Sequence, residues 1–446
     1  MLNFIFLYFE KLKKQNSISE LFFVFLGQII AAAGSVIGVR LLTHRLSPES
    51  YGEVSLALTV GVLFQQLLFG PLSNSYLRFF SAARELDELQ GFFNGVKKSA
   101  LKSILYSLLV FIVFIFVLFL IDWKNYLSLV FFSFLFLLIT SVNQYLDNLQ
   151  NAARQRVVVA WHQGLGSWLR YLLAFGIILI FGPNSQNAAI GFALSAACVL
   201  FSQLIFLRRT NLFVSEREKA STSGGSVAWE RKIWSYAFPF MSWGIFTWMQ
   251  MSSDKWALNI FSSTSDVGLF TVLYQLGYYP ISFLSTILLQ FFSPIIFQNT
   301  GNGNQLNKQK TGKQKIVNLV VFSLVMGTIA FLLALLLHQE IFTLFVPSQY
   351  RTVSFLLPWM VLSGCLFMSG QFASIHFLAA VTPEKLFGIK TITALLGIGF
   401  NFGFCFLWGL RGIVFASLSF SVIYFMSVLV KMRAEPGENG GNSSIS

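Results

Sequence analysis

The chain has 446 residues, 55% of them hydrophobic and 11% charged, with a formal net charge of +13. A soluble domain carries roughly 25% charged residues. With 51 Phe and a mean hydropathy of +0.68, the chain cannot cover its apolar surface in water, which excludes a soluble globular fold and makes a bilayer its solvent.

The opening MLNFIFLYFE is short and is expected to lie along the membrane interface. Lys11, Lys13 and Lys14 precede an apolar run from Leu21 to about Leu42. That run is too long for the apolar region of a cleavable signal and reads as the first membrane helix. A span needs about 20 apolar residues, and twelve are expected. They run over about 20–43, 51–77, 101–121, 127–149, 157–181, 187–207, 234–260, 267–297, 316–337, 353–380, 386–408 and 411–431. The clearest is ILYSLLVFIVFIFVLFLI, 104–121. Cys198, Cys365 and Cys405 each fall in a span, far apart, so neither a metal site nor a disulfide framework is expected.

Basic residues fix the orientation, because they stay on the cytoplasmic side. With the N-terminus inside, successive inside segments hold Lys11, Lys13, Lys14; Arg78, Arg84, Lys97, Lys98, Lys102; Arg154, Arg156; Arg208, Arg209, Arg217, Lys219, Arg231, Lys232; Lys308, Lys310, Lys313, Lys315; Lys385, Lys390; and Lys431, Arg433. These are 24 of the 31 Lys and Arg, whereas outside loops hold four: Arg45, Lys124, Arg351 and Arg411. Both termini are therefore expected in the cytoplasm. Basic loops facing anionic lipid account for the positive charge without any nucleic acid partner.

The largest connections also lie inside. Arg208–Lys232 contains SEREKASTSGGS, and Asn299–Lys315 is rich in Asn, Gln, Gly and Lys. Both read as flexible linkers. The expected organisation is an N-terminal six-helix lobe at 1–210, a cytoplasmic linker at 211–233, a C-terminal six-helix lobe at 234–432 and a disordered tail at 433–446. The halves echo one another: LSPESYGEVSLALTV (46–60) enters the second span as FSSTSDVGLFTVLYQ (261–275) enters the eighth, with Gly52 matching Gly268. Two such bundles related by an axis along the membrane normal form a transporter layout.

Polar residues in lipid-spanning helices turn away from lipid, so polar stripes at helical spacing mark wettable faces. The eighth span has Gln275, Tyr279, Ser282, Thr286, Gln290 and Ser293; the seventh has Trp243, Thr247, Gln250 and Asp254. The fourth has Thr140, Gln144, Asp147 and Asn151, the fifth has His162, Gly166 and Arg170, and the first pairs Arg40 with His44. Pointed inward, these faces would line a hydrated cavity.

The charges within spans have plainer readings too. Arg40 and Lys255 sit near the outer ends of their helices, where a long side chain can snorkel. Asp254 could pair with a neighbouring Arg; adjacent residues on a helix do not face each other, which disfavours a direct pair with Lys255. Arg78 and Asp147 lie at inner ends of spans, and His162, His338 and His376 suit interfacial or packing roles. Arg170 is deepest, some 20 Å from the inner end at about 1.5 Å per residue. An intramembrane charge there costs about 2.5–3.5 kcal/mol, so something must offset it. No HExxH, GxSxG, P-loop or Mg²⁺-type acidic cluster is present. The chain is expected to be neither an enzyme nor an ATP-driven pump, and to need no cofactor.

The stretch W-x5-D-K from Trp248 to Lys255, followed by VGLFTVLYQLG (267–277) and SPIIF (293–297), resembles the start of the second half of bacterial polysaccharide flippases. These are the Wzx-type oligosaccharide-lipid translocases of the multidrug/oligosaccharidyl-lipid/polysaccharide exporter superfamily. The first half agrees through GVRLL (38–42), LSPESYGEVSLA (46–57) and Arg78 ending the second span. The family commonly has Arg after the Asp, and here it is Lys255, which weakens bidentate phosphate binding at that position.

The resemblance implies an all-α integral membrane protein with about twelve transmembrane helices in two six-helix lobes around a central cavity. It implies a flippase that turns an undecaprenyl-diphosphate-linked oligosaccharide from the inner to the outer leaflet of the cytoplasmic membrane. Such a protein serves surface polysaccharides such as lipopolysaccharide O-antigen, beside a polysaccharide polymerase complex. A diphosphate cannot cross hydrocarbon bare, and inward cations would offset its desolvation. Arg40, Arg78, Arg170 and Lys255 are the anion-contact candidates, with Asp254, Gln250, Gln275 and Gln290 completing the substrate set. Asp147 and Asp254 are candidates for H⁺ or Na⁺ coupling. A cation-coupled multidrug exporter of the same superfamily, or a membrane polysaccharide polymerase or ligase, are the competing readings. The excess of bases over acids within the spans argues against the exporter, and the short outer loops argue against the enzyme.

Overall fold

The computed structural model describes residues 17–120, 122, 124–210, 223–300, 306–379 and 384–434. The opening 1–16, most of the central linker (211–222) and the tail from 435 lie outside them. Within the described residues every long element is a helix. In chain order these are α1 (Ser17–Thr43), α2 (Pro48–Glu85), α3 (Leu89–Leu120), α4 (Leu127–Ala152), α5 (Arg156–Phe181), α6 (Ser185–Thr210) and α7 (Ser223–Phe261). Then follow α8 (264–300), α9 (Leu306–Phe345), α10 (Leu357–Ala379, entered through the 3-10 turn Ser348–Leu356), α11 (384–408) and α12 (410–434). Gly409 separates the last two at φ 56°, ψ −134°, a conformation that side chains with a Cβ rarely adopt.

Among the described residues, ten segments are long and apolar enough to cross a membrane, with α11 and α12 counted as one across Gly409. The 39-residue α7 is too polar to join them. Their outer faces remain apolar: Leu105, Leu109, Ile112 and Phe116 on α3, and Val321, Val325, Leu332 and Leu336 on α9, are exposed. Such bands suit lipid and would be untenable in water. The chain is an all-α multi-pass membrane protein.

Two compact units divide at Met249 and Gln250, inside α7. In the first, α5 lies against α1 and α6, and α4 against α2 and α6. At Gly191 of α6 a Cβ would come within 2.2 Å of the Ala174 backbone on α5, so only glycine allows that approach. The core gathers Phe64, Phe69, Tyr76, Phe92, Phe134, Tyr145 and Trp229. In the second unit α10 lies against α9, α8 and the α11–α12 segment, around Phe372, Phe377, Tyr424 and Val428.

The sequence echo between halves takes physical form at two helix starts. Ser47 caps α2 by accepting from Ser50 N at 3.2 Å, and Ser263 caps α8 by accepting from Asp266 N at 3.1 Å. Gly52 and Gly268 follow their caps at the same spacing, and both are buried. Each helix then contains one π-turn, Gln65–Phe69 in α2 and Tyr274–Tyr278 in α8. Pro71 and Pro280 stand two residues beyond these turns. Proline has no N–H for the preceding turn and its ring crowds the carbonyl four residues back; one widened turn relieves that conflict.

Candidate functional site

Arg170 projects from the middle of α5 into a seam between α4, α5 and α6. Its guanidinium carbon lies 4.5 Å from the Phe192 ring centroid, 4.8 Å from Phe136 and 5.5 Å from Tyr171. Nε is buried without a hydrogen bond, and no carboxylate among the described residues pairs with the charge. A desolvated cation–π contact contributes about 2 kcal/mol. Three partial ones thus offset much of the roughly 2.5–3.5 kcal/mol cost of an intramembrane charge, but they satisfy no N–H. The neighbouring residues fix the arginine's place: Trp168 Nε1 donates to Ile30 O at 2.9 Å, and the Tyr171 ring sits where a Cβ on Gly38 would be.

Asp147 occupies the same three helices. It is 9% exposed. Its Oδ2 accepts from Gln163 Nε2 of α5 at 3.0 Å, and its Oδ1 from Gln203 Nε2 of α6 at 2.6 Å. Beside Gln163, His162 shares a hydrogen bond with Ser202 at 3.1 Å and packs as a buried helix contact. Gln203 Oε1 and both amide atoms of Gln150 are buried without partners. This is a carboxylate held by amides alone, with unused polar capacity beside it.

The polar stripe on α4 therefore does not face one surface. Gln144 turns to α2, where its Oε1 accepts from Gln65 Nε2 of the π-turn at 3.2 Å, and Asp147 turns to α5 and α6. Along the seam, Phe136 and Asp147 belong to α4, Gln163 and Arg170 to α5, Phe192 and Gln203 to α6.

The remaining candidates are more dispersed. Arg40, in the last turn of α1, and Arg78 on α2 are exposed and have no side-chain partner among the described residues. Gln250, Asp254, Lys255 and Gln275 are half-buried in the second unit. Asp254 Oδ1 accepts from the Lys255 backbone N at 2.7 Å. Gln275 lies in the π-turn of α8, and the side chain of Gln290 is outside the described residues. Sequence reasoning missed the two π-turns, with Gln65, Tyr274 and Tyr278, and the amide partners Gln163 and Gln203. The prolines after the π-turns were the available signal for the former.

A family model described as "Polysaccharide biosynthesis protein" matches residues 17–300. The chain belongs to the polysaccharide biosynthesis protein family. The match covers α1 to α8 and every candidate residue above. No curated protein matches the sequence significantly. Among solved structures, this family member is similar to the lipid II flippase MurJ in an inward closed conformation, with 14% identity, a TM-score of 0.66, and coverage of 94% of this chain and 88% of that one. An inward-facing multidrug resistance MATE family transporter of the MOP superfamily gives 15%, 0.64, 91% and 95%. A Vibrio cholerae MATE transporter, VcmN in its bent form, gives 11%, 0.55, 93% and 97%. At these identities the likeness is one of fold.

Proposed function

We propose that this polysaccharide biosynthesis protein is a flippase, not an enzyme. It carries an undecaprenyl-diphosphate-linked oligosaccharide from the inner to the outer leaflet of the cytoplasmic membrane by alternating access. The observation that carries the reading is Arg170, a half-buried mid-membrane guanidinium with aromatic faces around it and no anion of its own. Its unused N–H groups suit a phosphate, which would otherwise lose its hydration in hydrocarbon. Arg40, Arg78 and Lys255 serve as further anion contacts. Gln250, Gln275 and Gln290 meet sugar hydroxyls, and Asp254 orients a basic partner. Both termini are cytoplasmic, and a polymerase of surface polysaccharide receives the product.

The test deletes the gene and locates the lipid-linked glycan by leaflet. Accumulation in the inner leaflet is expected. Normal translocation with unpolymerised or unlinked product would contradict the reading and favour an enzyme.

A second reading draws on Asp147. A buried carboxylate without a cationic partner is what an H⁺- or Na⁺-coupled multidrug exporter requires. Under that reading the same deletion sensitises cells to cationic dyes and leaves polysaccharide unchanged.

A further inference from the structure

We infer that the π-turn of α8 is a saccharide subsite. Its stacked tyrosines hold pyranose rings of the carried glycan; this rests on the flippase reading. Tyr274 and Tyr278 stack with ring centroids 4.9 Å apart at 19°. Tyr278 meets Phe367 of α10 at 6.1 Å, and Phe367 meets Tyr424 of α12 at 5.2 Å. The ladder is held rigidly: the Tyr424 ring fills the space beside Gly370, and Gly277 in the turn is pressed against Met360.

Two properties select a sugar. First, Tyr274, Gln275, Tyr278 and Phe367 are all half-buried, so they retain an open side. The π-turn sits at the middle of the apolar stretch Thr264–Leu289. Tyrosines facing lipid gather at the interfaces, and a Gln facing lipid at mid-membrane is costly. The open side therefore faces a wet space.

Second, neither tyrosine hydroxyl has a hydrogen bond among the described residues. Apolar ring faces bordered by unused hydroxyls match a pyranose, with its apolar C–H face and polar rim. An acyl chain would leave those hydroxyls unmet.

The test places a photoreactive benzoylphenylalanine at Tyr278 in cells that make their own substrate. A control places it at Leu336, which is 76% exposed on the lipid face of α9. After irradiation, glycan on the purified protein is detected by periodate oxidation and hydrazide labelling. A glycan-bearing product from position 278 and none from position 336 is expected. A product without glycan at 278, or no product there, overturns the subsite. Tyr278→Ala should lower export about tenfold, the effect of losing one aromatic contact, with Tyr278→Trp retaining most of it; equal export by all three overturns it as well. These outcomes are separate from the flippase reading, which fails only if gene deletion leaves the glycolipid normally distributed.

Discussion

Asp147 and Arg170 lie in one seam between α4, α5 and α6 without pairing: Asp147 takes two amide hydrogen bonds and Arg170 takes three aromatic faces. On α4, eleven residues separate Asp147 from the Phe136 ring beneath the guanidinium, about 16 Å at 1.5 Å per residue. Opposite charges buried in one small bundle would normally be drawn into a salt bridge. Here each is instead surrounded by neutral groups, which leaves both free to bind something else.

Arg170→Ala should abolish most export while membrane insertion stays normal, as read by exported polysaccharide against protein abundance. Arg170→Lys should recover only part. An ammonium is a compact, strongly hydrated charge that lacks the planar stacking of guanidinium. Full export by the alanine variant would remove Arg170 from the substrate path.

Gln203→Leu should destabilise the first unit by about 1–3 kcal/mol, because it leaves a buried carboxylate oxygen without its donor. Gln163 is exposed and makes the longer bond, so Gln163→Leu should cost less. Thermal unfolding of the purified protein measures both. Equal shifts would show that the two amides do not hold Asp147 as described.

Trp229→Ala should cost about 3–5 kcal/mol, since it empties a core position. Trp229 is 2% exposed, packs on Phe92 and donates to Glu88 at 2.8 Å. Its neighbour Glu230 pairs with Lys102 at 2.5 Å, but Lys102 is 52% exposed. Breaking that pair by Lys102→Ala should cost far less, because solvent screens an exposed ion pair. A larger loss from the ion pair than from the tryptophan would reverse this ranking of burial over surface charge.

Pro280→Ala should let α8 close into a regular α-helix and turn the side chains that follow by about 100°, one residue of rotation. The expected results are lower export and altered labelling of a cysteine placed at Gln275. Unchanged labelling would mean that the π-turn has another cause.

Much of the fold was legible because lipid demands long apolar helices. The spans expected at 127–149 and 157–181 match α4 and α5 to within a few residues, and the Ser47 and Ser263 turns were visible as punctuation. The site was legible only in part. Arg170 is conspicuous in an apolar helix, whereas its cage is not. Phe136 and Phe192 look like any other apolar residue, and only packing brings them to one point. The α4 stripe shows the limit of spacing arguments. Gln144 and Asp147 sit three residues apart, an angular offset of about 60°, which is enough for one to reach α2 and the other α5 and α6.

The most direct measurement reconstitutes the purified protein in lipid vesicles with glycolipid extracted from the deletion strain, and follows its transfer between leaflets with a membrane-impermeant sugar oxidant. The account predicts rapid transbilayer movement with the intact protein and little with Arg170→Ala. Movement at the same rate in vesicles lacking the protein, or undiminished movement in the Arg170 variant, would contradict it.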